Sequence, residues 1–241
     1  MLHKTRGIVF HSIPYNDKYA IVHVFTESFG RVPYMVLRHH GRKTTVARAF
    51  FMPLSVLELE VDHLNTREIQ SIRETKLCFP MTHIHSHPVK NIIALFLAEV
   101  LFRAVHAKEP DTKLFTYLYE SIRWLELAEQ GIANFHLVFL IHLVRYLGVY
   151  PNTTTYQPRY SFDLLNGEFA ELSPGHNHFL NETESLIFFR LLRMNYENMA
   201  VHSFSRRERT NIMYRILEYY RLHIPDFPEI KSLSVMQSLF D

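Results

Sequence analysis

Cysteine, glycine and tryptophan are scarce in this sequence: one, seven and one residues, respectively, in a chain of 241. A single cysteine, Cys78, excludes an internal disulfide and any metal site built from several thiolates. Its neighbours Leu77 and Phe79 are apolar, so we expect a buried and unreactive thiol. The few glycines exclude collagen-like repeats and lie too far apart to form a glycine-rich phosphate-binding loop.

Long hydrophobic runs are also missing. The nearest candidate, residues 91–97, is soon followed by Glu99 and is far shorter than the roughly 20 residues that a transmembrane helix needs. The first six residues include Lys4 and Arg6 and show no apolar core of a secretory signal. With 47% hydrophobic and 21% charged residues, the sequence predicts a soluble, globular protein, and the single cysteine fits the reducing cytoplasm.

The charges are unevenly distributed although the formal net charge is only +2. Residues 1–80 contain 11 Lys and Arg against 7 Asp and Glu, whereas residues 81–241 contain 15 against 17. Such a basic excess attracts polyanions, but like charges also keep an ordinary exposed loop soluble, so charge alone favours neither interpretation. Five cations occur between residues 31 and 48 without an acidic residue among them: Arg31, Arg38, Arg42, Lys43 and Arg48.

The first 80 residues have the patterns of β-strands. In one segment Leu57, Leu59 and Val61 are expected to face inward, and Glu58 and Glu60 outward. Short strands joined by turns and one long basic connection predict a five-stranded β-barrel of the OB type, although an SH3-like barrel would give a similar pattern. The predicted strands are Thr5–Phe10, Ala20–Thr26, Arg31–Leu37, Leu54–Val61 and Ile69–Thr75.

After Pro88 the hydrophobic period changes to that of α-helices. A largely buried helix is expected over 89–106, a second from the cap Asp111 to Gln130 with Gly131 after it, and a third over 132–147. Residues 181–184 and 205–208 have the pattern of capping boxes that begin further helices.

The predicted fold class is therefore α+β with two domains. Residues 1–80 form an OB-like nucleic-acid-binding barrel, and residues 81–241 form an α-helical bundle domain. Residues 150–180 lack a helical period and are expected to be an irregular insertion.

Motifs of catalysis are absent from the sequence: it has no nucleophile elbow, no H-E-x-x-H and no Asp-rich metal loop. His83, His85 and His87 could share one side of an extended segment, and a hydrolase using them with a metal is one hypothesis. Because no thiolate or carboxylate partner is evident nearby, a polar linker without metal is the favoured interpretation.

Aromatic residues accompany the cations in the barrel region. Single-stranded nucleic acid needs this combination, since cations bind phosphates and aromatic rings stack on bases. Tyr34 and Phe25 are expected to fill the barrel core, whereas Phe29, Phe50, Tyr15 and Tyr19 could lie on the surface. An OB-like module for RNA remains an alternative. The predicted DNA contacts are Arg38, Arg42, Lys43 and Arg48, with Arg31 and Lys4 in support.

Six segments of the chain carry a family resemblance: Lys4–Val9, Tyr15–Tyr19, Thr26–Arg31, Arg38–Lys43, Arg215–His223 and Ile230–Leu233. Taken in order, they resemble the bacterial RecO family of recombination mediators. The resemblance covers essentially the whole chain. Many members of that family carry a four-cysteine zinc module, but residues 150–172 contain no cysteine here, so we expect neither a metal nor another cofactor.

The resemblance implies a DNA-repair protein that works by binding rather than by catalysis. RecO-like proteins bind single- and double-stranded DNA, anneal complementary strands and act with RecR to help RecA load onto DNA coated by the single-stranded-DNA-binding protein, SSB. The acidic, aromatic-ended SSB tail would need an apolar pocket rimmed by cations, for which Arg103, His106 and Arg123 are candidates. Such a protein would work at the nucleoid without a membrane partner.

Overall fold

The N-terminal region is a closed five-stranded β-barrel. The computed structural model describes residues 2–38, 50–171 and 175–238. The strand order β1-β2-β3-β5-β4, closed by pairing of β4 with β1, confirms the predicted OB-like barrel. Its strands are β1 (Leu2–Pro14), β2 (Tyr19–Thr26), β3 (Gly30–Leu37), β4 (Val56–Asp62) and β5 (Gln70–Leu77).

Strand alternation separates the barrel core from its outer surface. Leu57, Leu59 and Val61 are buried in the core, as the sequence predicts, and Glu58 is exposed on the outer side. Phe25 points outward from β2 and is nevertheless fully buried, because Phe115 of a covering helix lies 6.2 Å from its ring centroid. This helix cover explains why β2 is apolar on both faces.

Seven helices follow within the described residues. Asp111 caps the second long helix as predicted, since its Oδ1 accepts a hydrogen bond from Leu114 N–H at 2.9 Å. That helix ends at Leu127, however, and Gly131, with φ +75°, precedes the next helix instead of closing this one. The helices are α1 (Thr82–Ser86), α2 (Pro88–Ala104), α3 (Thr112–Leu127), α4 (Ile132–Tyr146), α5 (Glu182–Leu192), α6 (Arg206–His223) and α7 (Leu233–Ser238). No helix in these described ranges has the length and apolar character that crossing a bilayer requires.

The described chain divides into two compact units. The first contains the barrel, helices α1–α3 and the returning segment 230–238, and the second contains residues 128–229. The boundary between the compact units lies after residue 127 instead of residue 80, because α2 packs on β1 and α7 packs on α2. A domain boundary after residue 80 stays a prediction.

The second unit combines helices with a small sheet. Residues 150–180, expected to be irregular, contain the sheet β7-β6-β8, formed by β6 (Ser161–Asp163), β7 (Glu168–Ala170) and β8 (Phe179–Leu180). Strands this short cannot show an alternating pattern in sequence. Both predicted capping boxes are present, at Asn181 with Glu184 and at Ser205 with Glu208.

Gly30 closes the β2–β3 turn in a backbone conformation that other residues avoid. Its φ is +65°, and an added Cβ would lie 2.5 Å from the carbonyl oxygen of Glu109 and 2.7 Å from that of Ala107. The N–H of Arg31 donates to the Ala107 carbonyl at 2.8 Å, so the turn is held against the segment that follows α2.

Replacing Gly30 should therefore be more destabilising than replacing a glycine that has only an unusual φ. Gly148 is the matched control, since its φ is +77° and nothing lies within 4 Å of an added Cβ. We expect Gly148→Ala to lower the free energy of unfolding in urea by about 1–2 kcal/mol, the cost of the left-handed conformation. Gly30→Ala should cost more, by at least about 1–3 kcal/mol from overpacking. Equal losses in the two variants would contradict the close approach at Gly30.

Candidate nucleic-acid interface

The β1–β2 hairpin ends in a tight turn that exposes two tyrosines. Asn16 shapes the turn because its Oδ1 accepts hydrogen bonds from the backbone N–H groups of Lys18, at 2.9 Å, and Tyr19, at 2.8 Å. The N–H of Tyr15 donates to the Tyr19 carbonyl at 3.0 Å and closes the hairpin. Tyr15 is 61% exposed and Tyr19 is 40% exposed, so both rings are available for stacking.

Apolar side chains extend this surface along the outer side of β1, β2 and β3. The strand register places Ile13, Ile21 and Met35 in one row, and Tyr19 beside Leu37 in the next. Ile13 and Leu37 are 43% and 48% exposed. Exposed apolar side chains grouped on one face indicate a binding surface. In OB folds this face and the first hairpin loop commonly bind oligonucleotides.

Two cations lie at the same end of the barrel. Lys18 is exposed in the turn, and the backbone N–H of Arg38 donates to its carbonyl at 2.6 Å. One guanidinium nitrogen of Arg38 donates to the Asn16 carbonyl at 3.1 Å, which leaves other N–H groups for a phosphate. Asp17 adds one carboxylate to the turn. We call this surface the hairpin face and define it as Ile13, Tyr15, Lys18, Tyr19, Leu37 and Arg38.

Arg31 and Lys4, predicted as supporting DNA contacts, lie away from the hairpin face. The half-buried Arg31 donates from Nη1 to the carbonyl of Phe102 in α2 at 2.7 Å, and its guanidinium lies over the Phe102 ring. Lys4 is exposed on the outer side of β1, where it pairs in register with Glu60 and lines a surface cavity with Glu74. Carboxylates beside Lys4 weaken its attraction for phosphate.

The remaining predicted cations, Arg42, Lys43 and Arg48, lie outside the described residues. The connection that carries them starts after Arg38, on the hairpin face, and ends before Phe50. These three contacts stay predictions from the sequence.

The other aromatic residues named from the sequence belong mostly to the barrel. Tyr34 is buried in the barrel core as expected, whereas Phe25 is buried outside it against Phe115 of α3, so the expectation that Phe25 fills the core is wrong. Phe29 packs on the core and stacks on the His63 ring at 4.1 Å, and Phe50 also packs on the core. Among the aromatic candidates, the turn tyrosines are therefore the ones that the structure places on an open surface.

The three residues predicted to receive an SSB tail lie on α2, just after it and on α3. His106 is exposed, as is Arg123, which lies 3.8 Å from Glu120. Arg103 is half-buried, and its guanidinium lies 5.4 Å from the centroid of the Phe102 ring. A shared role for the three stays a prediction.

The histidine-rich segment is helical, and the expectation of an extended segment is wrong. His83 and His85 lie in α1, and a carboxylate does lie nearby, because His83 Nδ1 is 3.0 Å from Glu126 Oε1. Glu126 is buried and accepts hydrogen bonds from the backbone N–H groups of His83 and Ile84 at 2.8 Å, which anchors the start of α1. Within the described part of the chain, no three His, Cys, Asp or Glu side chains are arranged to hold a metal ion.

A cluster around Phe102 joins the barrel to α2. The rings of His11 and His23 lie 4.7 Å and 4.9 Å from the Phe102 ring centroid. Burial lowers the pKa of both histidines below the usual value, and the neighbouring charges of Arg103 on His11 and Arg31 on His23 lower it further. The two imidazoles are therefore neutral at pH 7, and the charges that act on them are those of Arg31, Arg103 and Glu99.

Sequence reasoning missed Lys18, Ile13 and Leu37 as parts of the interface. Lys18 lies outside the acid-free basic stretch, although it immediately precedes a tyrosine in a turn. The available signal was strand phase, because Ile13, Tyr19 and Leu37 occupy outward positions where a water-facing strand normally has polar residues.

The closed barrel, its hairpin face and the helices that follow define an OB-fold protein with the surface chemistry of a nucleic-acid binder. Comparison with known sequences is more specific. The family model described as "Recombination protein O N terminal" matches residues 1–81, and the one described as "Recombination protein O C terminal" matches residues 85–233.

Full-length relatives agree with this assignment. The chain is 47% identical over 241 residues to the DNA repair protein RecO of Azobacteroides pseudotrichonymphae, with 100% of both chains covered. It is 42% and 43% identical to the proteins of that name from Phocaeicola vulgatus and Bacteroides fragilis, again over 100% of each chain. The chain therefore belongs to the RecO family of DNA repair proteins.

The Phe102 cluster predicts a specific loss of stability in acid. Because the pKa of His11 and His23 is lowered by folding, the unfolded chain takes up protons first as the pH falls below about 6.5, and the folded state loses stability. A His11→Gln/His23→Gln variant should lose less stability between pH 7 and pH 5 than the wild type in thermal unfolding. Some loss should persist, since burial lowers the pKa of His136 to about 3 in both proteins. Identical pH profiles would contradict neutral imidazoles at Phe102.

Proposed function

We propose that this protein is a DNA-binding recombination mediator of DNA repair. It binds single- and double-stranded DNA, anneals complementary strands and, together with RecR, helps load RecA onto single-stranded DNA coated by SSB. Membership of the RecO family supports this proposal. The observation that carries it is the hairpin face, where exposed tyrosines and aliphatic side chains lie beside Lys18 and Arg38.

The chemistry of annealing fits this surface. Two strands repel each other through their phosphates, and a protein that neutralises phosphates while it leaves base edges open lowers that barrier. Tyr15 and Tyr19 stack on bases regardless of sequence, and the cations hold the backbone. Binding of this kind requires no covalent chemistry, so we propose a mediator that is not an enzyme and needs no cofactor.

The hairpin cations act with the basic connection that follows them. Arg38 begins that connection, and Arg42, Lys43 and Arg48 supply further phosphate contacts in this proposal. Arg31 and Lys4 have weaker roles, since one donates to the Phe102 carbonyl and the other lies among carboxylates.

Protein partners complete the proposed function. In this proposal RecR acts together with this protein on DNA at the nucleoid. RecA is an indirect partner, since it is loaded onto that DNA. The acidic SSB tail is attracted by arginines of α2 and α3, and Arg103, His106 and Arg123 are the sequence-based candidates for its site. Exposure of His106 and Arg123 supports their access to a partner.

Substitutions in the hairpin face should weaken DNA binding either by removing base stacking or by removing phosphate contacts. Tyr15→Ala/Tyr19→Ala should lower the affinity for oligothymidylate by about tenfold or more, because each stacked base contributes about 1–3 kcal/mol. Lys18→Gln/Arg38→Gln should reduce the slope of log K against log salt by about 1.4, since each phosphate contact on a single strand contributes about 0.7. Fluorescence anisotropy across a salt series measures both quantities.

Matched controls lie elsewhere on the surface. Tyr214→Ala removes a tyrosine that is 44% exposed on α6, and Lys113→Gln removes an exposed cation of α3. Both should leave affinity and salt slope unchanged. Wild-type binding by the hairpin variants would refute the hairpin face as the DNA site, and much tighter binding of matched RNA would favour an RNA-binding module.

Charge reversal in the basic connection should slow the proposed annealing activity. With Arg42→Glu/Lys43→Glu, annealing of complementary strands precoated with SSB should slow at least tenfold, because the reversed charges repel phosphates. Arg67→Glu/Arg73→Glu is the charge-matched control on the other side of the barrel, where both arginines lie near Asp62. A fluorescence-quenching assay measures the rate, and equal slowing by both pairs would show a general charge effect instead of a site.

A further inference from the structure

A groove in the first unit lies beside the hairpin face and has no role so far. It has a volume of about 600 Å³ and lies between β1, α2 and α7. Its apolar lining includes Phe51, Ala98 and two side chains that are well exposed, Leu95 at 41% and Val235 at 43%. Proteins hold ligands in cavities of about 300–1,000 Å³, so there is room here for one or two nucleobases.

Ionisable side chains line the groove. Arg103 and Lys231 are cations, His11 is neutral, and Glu99 contributes a carboxylate. Both oxygens of Glu99 accept hydrogen bonds from the chain itself, from Lys231 N–H at 3.0 Å and from Ser232 N–H at 2.8 Å. The carboxylate is therefore occupied in holding the start of α7, and the ammonium group of Lys231 is left exposed.

Arg103 has unused hydrogen-bonding capacity at this position. Its Nε is buried and has no hydrogen-bond partner among residues 2–38, 50–171 and 175–238. Because Nε is buried, an anionic ligand would contact the terminal N–H groups of this half-buried guanidinium instead. Arg103 and Lys231 together give the groove the charge that attracts an anion.

The groove continues the hairpin face in space and in sequence. His11 lines the groove, and Ile13, two residues further along the same outward side of β1, belongs to the hairpin face. Two residues of β1 span about 7 Å, so a bound strand passes from one surface to the other without a gap.

We propose that this groove is an extension of the nucleic-acid site, which accepts bases of a single strand that already crosses the hairpin face. The bases enter among Leu95, Ala98 and Val235, and the phosphates contact Arg103 and Lys231. This inference rests on the proposed DNA binding, and for Arg103 it replaces the sequence-based assignment to the SSB tail. Continuity with the hairpin face favours a nucleic acid over an acidic protein segment.

Oligonucleotides of two lengths distinguish binding at the hairpin face from binding in the groove. An OB fold covers about 4–16 nucleotides, so an oligothymidylate of about 5 nucleotides fills only part of the site and one of about 15 nucleotides fills all of it. Val235→Trp fills the groove, and it should weaken binding of the longer oligomer about tenfold and binding of the shorter one less. Arg103→Gln/Lys231→Gln should reduce the salt slope of the longer oligomer by about 1.4.

Two variants control for the added ring and the lost charge. Leu127→Trp places an indole on α3 at a side chain that is 67% exposed and does not line the groove, and Lys113→Gln removes a cation from the same helix. Both should bind the two oligomers as the wild type does. Circular dichroism and thermal unfolding verify that Val235→Trp is folded, and the charge variants test the same groove without adding volume.

The outcomes distinguish this inference from the proposed function. If the hairpin variants weaken both oligomers and the groove variants weaken neither, the groove inference is wrong and the DNA-binding proposal stands. If the wild type binds neither oligomer, the proposed function itself fails. A third outcome would overturn the inference: Val235→Trp prevents an acidic, phenylalanine-ended peptide from binding in the groove and leaves the DNA affinity unchanged. The groove would then be assigned to a protein partner.

Discussion

Strand β1 forms hydrogen-bonded ladders along both edges, with β2 on one side and β4 on the other. This double pairing closes the barrel and leaves each side chain only two directions, inward or outward. A shift by one residue would turn Ile13 and Lys4 into the core. The register of β1 therefore determines which residues meet solvent, and the hairpin face depends on it.

The same register gives the barrel two outer surfaces of different charge. On β1, β2 and β3 the outward positions near the hairpin are apolar or aromatic, beside Lys18 and Arg38. On β4 and β5 they include Glu58, Glu60 and Glu74, which form a ladder with cations of the neighbouring strands. Under the proposed function, a strand of nucleic acid lies on the hairpin side, where Lys18 and Arg38 accompany the exposed rings.

Much of the fold could be predicted because local patterns determine it. The alternation around Leu57 and Leu59, the cap at Asp111 and both capping boxes occur as expected. The small sheet of residues 161–180 could not be predicted, since strands of two or three residues have no period to detect. Which of the predicted cations are available for binding depends on tertiary contacts, which a sequence pattern does not show. Arg31 has the charge of a phosphate ligand, but a helix carbonyl 71 residues away determines where its guanidinium lies.

Hydroxyl-radical footprinting with and without single-stranded DNA tests the central claim most directly, because it reports side-chain exposure residue by residue. We expect DNA to reduce the reactivity of Tyr15, Tyr19 and Leu37, while Leu127 and Leu165, which are exposed elsewhere, keep theirs. Unchanged reactivity of the hairpin side chains in a saturated complex, or protection confined to Leu127 and Leu165, would contradict the account.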